Sequence, residues 1–339
     1  MSVFLFSLEK GSKKHICPGC GKKTFVRFVN TKNDEYLPEK YGRCDRSIKC
    51  KYFENPYKDG YAYEHNRKNQ AETNTIQSLP LVRKAKSRSI IYVPDEIFKA
   101  TKCCYAQNVF IQNLMNGIQH PFELPEIEKV IELYHLGTIQ DGYLKGAVTF
   151  PYFERLDQIR AVQIIQYDKD NHRKRIHWID KYAPVINKYN KDWLEKYAEN
   201  EGKVTCLFGA HLIHEYPNNP IAIVESAKSA IVATLYYGLP EKDSKKMIWL
   251  GAFSRDALSL HKCKILSGRA VYLIPDLSMD GSTYRVWKEK SEAFKRAMPT
   301  TRFKIVDTFE IKANQPDRDK GLDIADYLVQ FDWRKFRSM

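Results

Sequence analysis

The chain has 339 residues, which is long enough for two or three domains that each bury a core. Its composition, with 43% apolar and 13% aromatic residues, is typical of a globular protein. No stretch approaches the roughly 18 consecutive apolar residues of a membrane helix, and the first residues lack the basic flank and cleavage site of a signal peptide. We therefore expect a cytoplasmic protein with no membrane partner.

The balance of charge is basic. Lys and Arg outnumber Asp and Glu by 55 to 41, which gives a net charge of +14. Such an excess favours a polyanionic partner if it is clustered, although a basic composition can also serve solubility alone.

The cysteines are unevenly placed. Four of the eight follow the spacing C-x2-C-x23-C-x5-C: Cys17, Cys20, Cys44 and Cys50. Four thiolates in tetrahedral geometry select zinc and close its coordination sphere, so the pattern predicts a structural Zn²⁺ site in a ribbon at residues 1–57. The alternatives are four unrelated cysteines, or a site in which His15 or His65 replaces a member of the second pair. A redox C-x-x-C is not indicated, because no βαβ pattern surrounds it.

The predicted strand between the two cysteine pairs alternates apolar and basic residues. Lys22, Lys23 and Arg27 could track phosphates while Phe25 and Phe28 stack on bases. The same residues could equally form the small core and the solvated face of a ribbon.

Residues 58–90 are polar and basic and predict a flexible linker. A middle region at 91–215 then begins with helical signals and continues as an antiparallel meander of Leu144–Phe153, Ile159–Tyr167 and Arg175–Asp180. Three basic residues at its last turn could grip a phosphate backbone or simply be solvated: Arg173, Lys174 and Arg175. His211 and His214 lack an acidic or thiol partner nearby, so a structural role is favoured for both.

The segment 216–339 alternates short apolar strands with helices, which predicts a largely parallel sheet. Glu225 and Asp276 each follow such a strand, and Asp280 lies in the loop after the second. Because functional groups of a parallel sheet gather beyond the carboxyl ends of its strands, we expect these carboxylates to hold Mg²⁺ or Mn²⁺. Lys228 or Arg255 would balance the charge of a phosphate.

This arrangement of acids resembles the Toprim domain of bacterial primases, topoisomerases and related nucleases. The stretches YHLGTI, AIVESAKSAIVAT, RAVYLIPDL and KGLDIADYL are similar to primase-like proteins of Bacteroidetes mobile elements, which also begin with a four-cysteine ribbon. The resemblance covers almost the whole chain. One departure is Ser278, which stands where Asp-x-Asp-x-x-Gly would have its second carboxylate, so either Asp280 takes over or the site binds metal weakly.

The resemblance implies an α+β multi-domain protein with a zinc β-ribbon, a mixed middle region and a Toprim-like C-terminal domain. It implies a primase that joins ribonucleotides into RNA primers on single-stranded DNA, with Glu225, Asp276 and Lys228 as catalytic residues. Asp323 and Asp326 match an acidic motif of primases and could bind a second metal or the nucleotide, or else stabilise the start of a helix.

Two other functions remain open. Ser278 motivates a non-catalytic DNA-binding accessory protein, and the same carboxylates could activate water in a Toprim nuclease. The chain contains no G-x-x-x-x-G-K-[ST] loop, so a helicase would be a separate partner. A relaxase is a further candidate partner.

Overall fold

A computed structural model describes residues 5–9, 11, 13–31, 33–46, 50, 52–62, 90–155, 157–182, 192–199 and 204–337. The chain divides into two compact units, Met1–Ser87 and Arg88–Met339, which we call the ribbon unit and the main unit. Most of the predicted linker lies outside the described residues. Within the described ranges, no helix is both long and apolar enough to cross a membrane.

The ribbon unit is an antiparallel sheet. Its strands are β1 (Phe6–Leu8), β2 (His15–Ile16), β3 (Lys23–Asn30), β4 (Gly42–Cys44) and β5 (Phe53–Glu54). They pair in the order β1-β3-β4-β5, and β2 also pairs with β3.

Two small apolar clusters lie in the ribbon unit. Phe28 packs with Phe6 and Ala62 in one, and Phe25 packs with Cys17 and Cys44 in the other. Residues three apart on a strand point to opposite faces, so β3 contributes to both clusters. Ala62 places the end of this unit beyond the predicted boundary at residue 57.

The main unit begins with helices and an antiparallel sheet. The helices are α1 (Asp95–Lys99), α2 (Val109–Asn116) and α3 (Leu124–Tyr134), and the strands are β6 (Gly137–Thr138), β7 (Val148–Arg155), β8 (Gln158–Tyr167) and β9 (Arg173–Trp178). The order β6-β7-β8-β9 confirms the predicted meander. Its first long strand starts later than predicted, because residues Gly142–Leu144 form a 3₁₀ turn.

After α4 (Asp192–Ala198) and α5 (Leu212–Glu215) comes a four-stranded parallel sheet. Its strands are β10 (Ile221–Val224), β11 (Ile248–Gly251), β12 (Ala270–Leu273) and β13 (Arg302–Ile305). All neighbours in the order β11-β10-β12-β13 are parallel, which confirms the prediction. The helices of this part are α6 (Ala227–Tyr237), α7 (Leu260–Cys263), α8 (Ser282–Ala297), α9 (Thr308–Lys312), α10 (Gln315–Lys320), α11 (Ile324–Leu328) and α12 (Arg334–Arg337).

Helix α7 is a single turn that follows the loop after β11. The hydroxyl of Ser259 accepts a hydrogen bond from the backbone amide of Lys262, and this cap starts the helix at Leu260. Arg255 therefore belongs to the loop after β11.

Helix α6 is buried along almost its whole length. It contacts β10 and β11 and also α3, α11 and α12. A single apolar core consequently runs from Phe110 in α2 to Trp333 before α12. The hydroxyl of Tyr134 lies 2.7 Å from that of Thr234 and donates to the carbonyl oxygen of Trp249. The predicted boundary at residue 215 runs through this continuous core.

Candidate functional site

The four cysteines of the ribbon unit converge. Their sulfur atoms all lie within 4.8 Å of one another. The Sγ atoms of Cys17 and Cys50 are 3.7 Å apart, and those of Cys20 and Cys44 are 4.0 Å apart. A tetrahedron with Zn–S bonds of about 2.3 Å has edges of about 3.8 Å, so both the distances and the soft donors fit a structural zinc ion.

Backbone and hydroxyl groups favour, at Cys20 and Cys44, the thiolate form that a metal requires. The backbone amide of Lys22 is the main cause that lowers the pKa of Cys20 to about 6. The hydroxyl of Thr24, 3.3 Å from Cys44 Sγ, lowers the pKa of that thiol. Gly19 leaves room for Tyr52, because a Cβ atom there would lie 2.7 Å from Cδ2 of the tyrosine.

The predicted alternatives to the four-cysteine site receive no support from the described residues. His15 Nε2 lies 2.9 Å from a carboxylate oxygen of Glu9 rather than at the sulfur cluster. His65 lies outside the described residues.

The structure of the ribbon unit contradicts the hypothesis that its phenylalanines stack on bases. Phe25 and Phe28 are buried and cannot stack on bases, so that part of the hypothesis is wrong and the small-core interpretation is correct. Lys23 is exposed. Arg27 donates to the carbonyl oxygen of Leu37 and lies over the ring of Tyr36.

Glu225 and Asp276 follow two adjacent strands of the parallel sheet, β10 and β12. The amide of Ala252, just after β11, donates to the carbonyl oxygen of Val224. The amide of Ile274, just after β12, donates to that of Ile223, so both neighbouring strands stay hydrogen-bonded to β10 up to this edge. Gly251 lets the end of β11 lie close to the start of α6, because a Cβ atom at this position would be only 3.2 Å from the amide nitrogen of Ala227.

Burial shapes the electrostatics of this edge. Glu225 Oε1 is buried without a hydrogen-bond partner, and burial raises the pKa of Glu225 to about 7. Burial, followed by the charges of Asp323 and Glu225, raises the pKa of Asp276 well above its ordinary value. Ionisation of one of these carboxyl groups disfavours ionisation of the other. A divalent cation that prefers oxygen ligands would stabilise both in the charged form.

Asp280 stands apart from this pair. It is exposed, accepts a hydrogen bond from the amide of Ser282, and lies 3.9 Å from Arg285. In the part of the chain that is described, its carboxylate does not join Glu225 and Asp276 in a group with ligand atoms within 4.8 Å. Ser278 Oγ accepts a hydrogen bond from the amide of Thr283 near the start of α8. The role of Asp280 as a metal ligand stays a prediction.

Asp323 and Asp326 form a capping box at the start of α11, in which each carboxylate accepts the backbone amide of the other. Both also pair with Lys228 in the first turn of α6, at 3.0 Å and 2.8 Å. The structure thus joins three of the predicted site residues in one ion cluster.

Lys290 was not identified from the sequence as a residue that holds the loop after β11. Its ammonium donates to the carbonyl oxygens of Arg255 and Asp256 in the loop after β11, and Trp287 Nε1 also donates to the first. Trp287 and Lys290 are three residues apart on α8, and this spacing places them on one face of the helix. The spacing was the sequence signal from which their common contact could have been predicted. The same loop contains Phe253, whose φ of +86° is unusual for a bulky residue.

The predicted phosphate-binding residues of the meander lie on β9, an edge strand of the sheet. Arg173, Lys174 and Arg175 are all exposed. In the preceding turn, ligand atoms of Asp168, Asp170 and His172 lie within 4.8 Å of one another, but the hydrogen bonds that Asp168 accepts from the turn amides account for its position.

The two histidines of the middle region do not converge. His211 is buried and donates to the carbonyl oxygen of Leu133, while His214 is exposed. The ring of His211 lies 5.2 Å from that of His135 and 4.9 Å from that of Phe153. These contacts are those of a structural residue.

Solved structures similar to this chain include two primases. The primase fragment of the bacteriophage T7 primase-helicase protein is 10% identical with a TM-score of 0.33, over 86% of this chain and 89% of that chain. The Aquifex aeolicus primase, with its zinc-binding and RNA polymerase domains, is 12% identical with a TM-score of 0.38, over 98% of this chain and 79% of that chain. No curated protein matches the sequence.

Two family models match the sequence. The model of a zinc beta-ribbon finger matches residues 4–67, which include all four cysteines. The other model matches residues 108–277, from the start of α2 to just beyond Asp276. Because this second match spans just over half of the chain, the protein belongs to the family described as "Domain of unknown function (DUF6371)".

Proposed function

We propose that the protein is a primase-like enzyme of the Toprim type that makes RNA primers on single-stranded DNA by metal-dependent nucleotidyl transfer. The observation that carries the proposal is the half-buried pair Glu225 and Asp276 at the carboxyl edge of the parallel sheet, with the Oε1 atom of Glu225 buried and unpartnered. Three of the four stretches that resemble primase-like proteins of mobile elements lie in the same segment, 216–339.

The residues at this edge suit the chemistry. Glu225 and Asp276 would hold Mg²⁺ or Mn²⁺, which would supply positive charge to the reacting phosphates. In the alternative arrangement, in which Glu225 does not ligate the ion, its carboxylate would accept the proton of a 3′-hydroxyl, because a pKa of about 7 suits proton transfer near neutral pH. The partly exposed Arg255 acts electrostatically on Glu225 and would contact a phosphate.

Nucleic acid would bind to the exposed basic residues of β9, with Lys23 of the ribbon unit as a further contact. Single-stranded DNA and ribonucleotides are the proposed ligands. A helicase or a relaxase would act as a separate protein.

A second candidate is a DNA-binding accessory protein without catalysis. The observation that favours it is Ser278, which replaces the expected carboxylate and uses its hydroxyl to bind the amide of Thr283. A Toprim nuclease would use the same carboxylates to activate water, and it would cleave DNA instead of extending a primer.

The test is primer synthesis from ribonucleotides on single-stranded DNA with Mg²⁺ or Mn²⁺. We expect Glu225→Gln to lose activity roughly hundredfold or more without loss of thermal stability. Glu289→Gln, on the exposed face of α8, is the matched control and should retain activity. If the wild-type protein makes no primers but binds DNA, the accessory function replaces the proposed one, and metal-dependent cleavage would identify a nuclease.

A further inference from the structure

Lys228 is a buried cation at the start of α6. Its side chain is 11% exposed, and its ammonium lies 3.0 Å from Asp323 Oδ2 and 2.8 Å from Asp326 Oδ1. An ammonium group at such a depth is costly unless carboxylates compensate it. Ser229, the next residue of α6, also donates its hydroxyl to Asp323 Oδ2.

All four oxygens of the two aspartates are engaged. Asp323 Oδ1 accepts the amide of Asp326, and Asp326 Oδ2 accepts the amide of Asp323, each at 3.0 Å. The remaining oxygen of each carboxylate faces Lys228. A metal ion at this position would have to displace the ammonium or break the capping box.

Asp276 belongs to the same electrostatic cluster. Burial raises the pKa of Asp276, the charges of Asp323, Glu225 and Asp326 raise it further, and the charge of Lys228 lowers it. Three carboxylates therefore share the field of one cation, and that cation is a side chain. Glu225 lies in the same short segment as Lys228, before the first turn of α6.

We propose that Lys228 is a tethered cation that takes the position of a second divalent metal ion beside Asp276, so that Asp323 and Asp326 do not bind metal. The inference rests on the proposed function only for the first ion, at Glu225 and Asp276. A side-chain cation has a fixed charge and position. A second divalent ion in its place would repel the first divalent ion more strongly than the single charge of Lys228 does.

Removal of the ammonium should convert the cluster into a metal site. We expect Lys228→Met to bind one more Mn²⁺ per chain than the wild type in calorimetric titration. Millimolar Mn²⁺ should raise its melting temperature by roughly 5 °C more than that of the wild type. Lys228→Arg keeps the charge and should show neither gain.

Lys262→Met is the matched control. Lys262 is also a buried lysine of the main unit, but its ammonium lies 5.9 Å from the ring centre of Phe253 instead of between carboxylates. We expect no additional Mn²⁺ in this variant. An equal gain in Lys262→Met, or no gain in Lys228→Met, would show that the inference is wrong.

Two further variants separate this inference from the proposed function. Glu225→Gln tests the first ion alone, and unchanged Mn²⁺ binding in it would contradict the proposed metal site but not the inference. The gain from Lys228→Met should persist in the Glu225→Gln background and vanish when Asp323→Asn is added. If Lys228→Met is unfolded in buffer, folding on addition of Mn²⁺ would support the inference, and a failure to fold with Mn²⁺ would contradict it.

Discussion

The indole Nε1 of Trp333 donates a hydrogen bond to the carbonyl oxygen of Pro121, 3.2 Å away. The Trp333 ring stacks on Phe122, and Arg337 lies 4.4 Å from its centre. Arg337 in turn pairs with Glu126 of α3 at 2.6 Å. Residues after the parallel sheet thus complete the core next to the first helices of the main unit.

Trp333→Ala should therefore destabilise the main unit, because it removes a buried ring and its hydrogen bond. We expect a loss of about 3–5 kcal/mol in the free energy of unfolding, measured by urea denaturation. Phe331→Ala is the control, since Phe331 is an exposed aromatic residue in the same segment. A similar loss in both variants would contradict the importance of the Trp333 contact.

Cys44→Ser should lower the zinc content and the thermal stability of the ribbon unit. Its two apolar clusters are too small to keep the sheet folded without the metal. Metal analysis of the purified protein is the measurement. Cys103→Ser, which changes a cysteine outside the cluster, should retain full zinc, and full zinc in Cys44→Ser would rule out the four-cysteine site.

Glu225→Gln should stabilise the main unit at pH 8. Burial raises the pKa of Glu225 from its ordinary value of 4.5 to about 7. For an acid whose folded pKa is the higher one, stability is present at low pH and is lost as the pH rises from 4.5 to 7. The variant lacks this loss, so we expect a gain of about 1–3 kcal/mol at pH 8 and none at pH 4. A variant less stable than the wild type at pH 8 would contradict the assignment.

Acid should destabilise the main unit through His211. Burial lowers the pKa of His211 from 6.5 to about 4, and its Nδ1 atom has no hydrogen-bond partner. Stability that is complete above pH 6.5 is therefore lost as the pH falls to 4, by up to about 3 kcal/mol. His211→Gln retains a donor for the carbonyl oxygen of Leu133 and should flatten this part of the pH profile. An unchanged profile in thermal unfolding would locate the acid sensitivity elsewhere.

Replacement of Arg173, Lys174 and Arg175 by Ala should weaken single-stranded DNA binding and its salt dependence. Each lost phosphate contact reduces the slope of log affinity against log salt by about 0.7. Fluorescence anisotropy over a salt series measures both quantities. The control changes three exposed basic residues of α8 to Ala, at Lys288, Lys295 and Arg296, and an equal effect of both sets would indicate attraction by net charge alone.

The sequence predicted the parallel sheet and its two acids well because both depend on local patterns. Short apolar runs that end in Glu225 or Asp276 are a strand signal followed by a change in polarity. The position of these acids then follows from a general property of parallel sheets.

Other features depend on partners far away in the chain. Lys228 was interpreted as a group that balances the charge of a phosphate. Its pairing with Asp323 and Asp326 arises only when α11 packs on α6, and the local sequence does not show this. The contact of Trp333 with Phe122 has the same origin. The sequence left Phe25 and Phe28 open between base stacking and a small core for a different reason, since alternation suggests one covered face and this sheet has an apolar cluster on each side.

The continuous core also bears on how segments of this chain could be exchanged between proteins. A recombination junction near residue 216 would separate Tyr134 from Thr234 and Trp249 and would expose the buried α6. A junction between the ribbon unit and the main unit would leave both cores intact. Chimeric genes that yield folded protein should therefore keep residues 90–337 together, and the parallel sheet should be inherited with the meander as one piece.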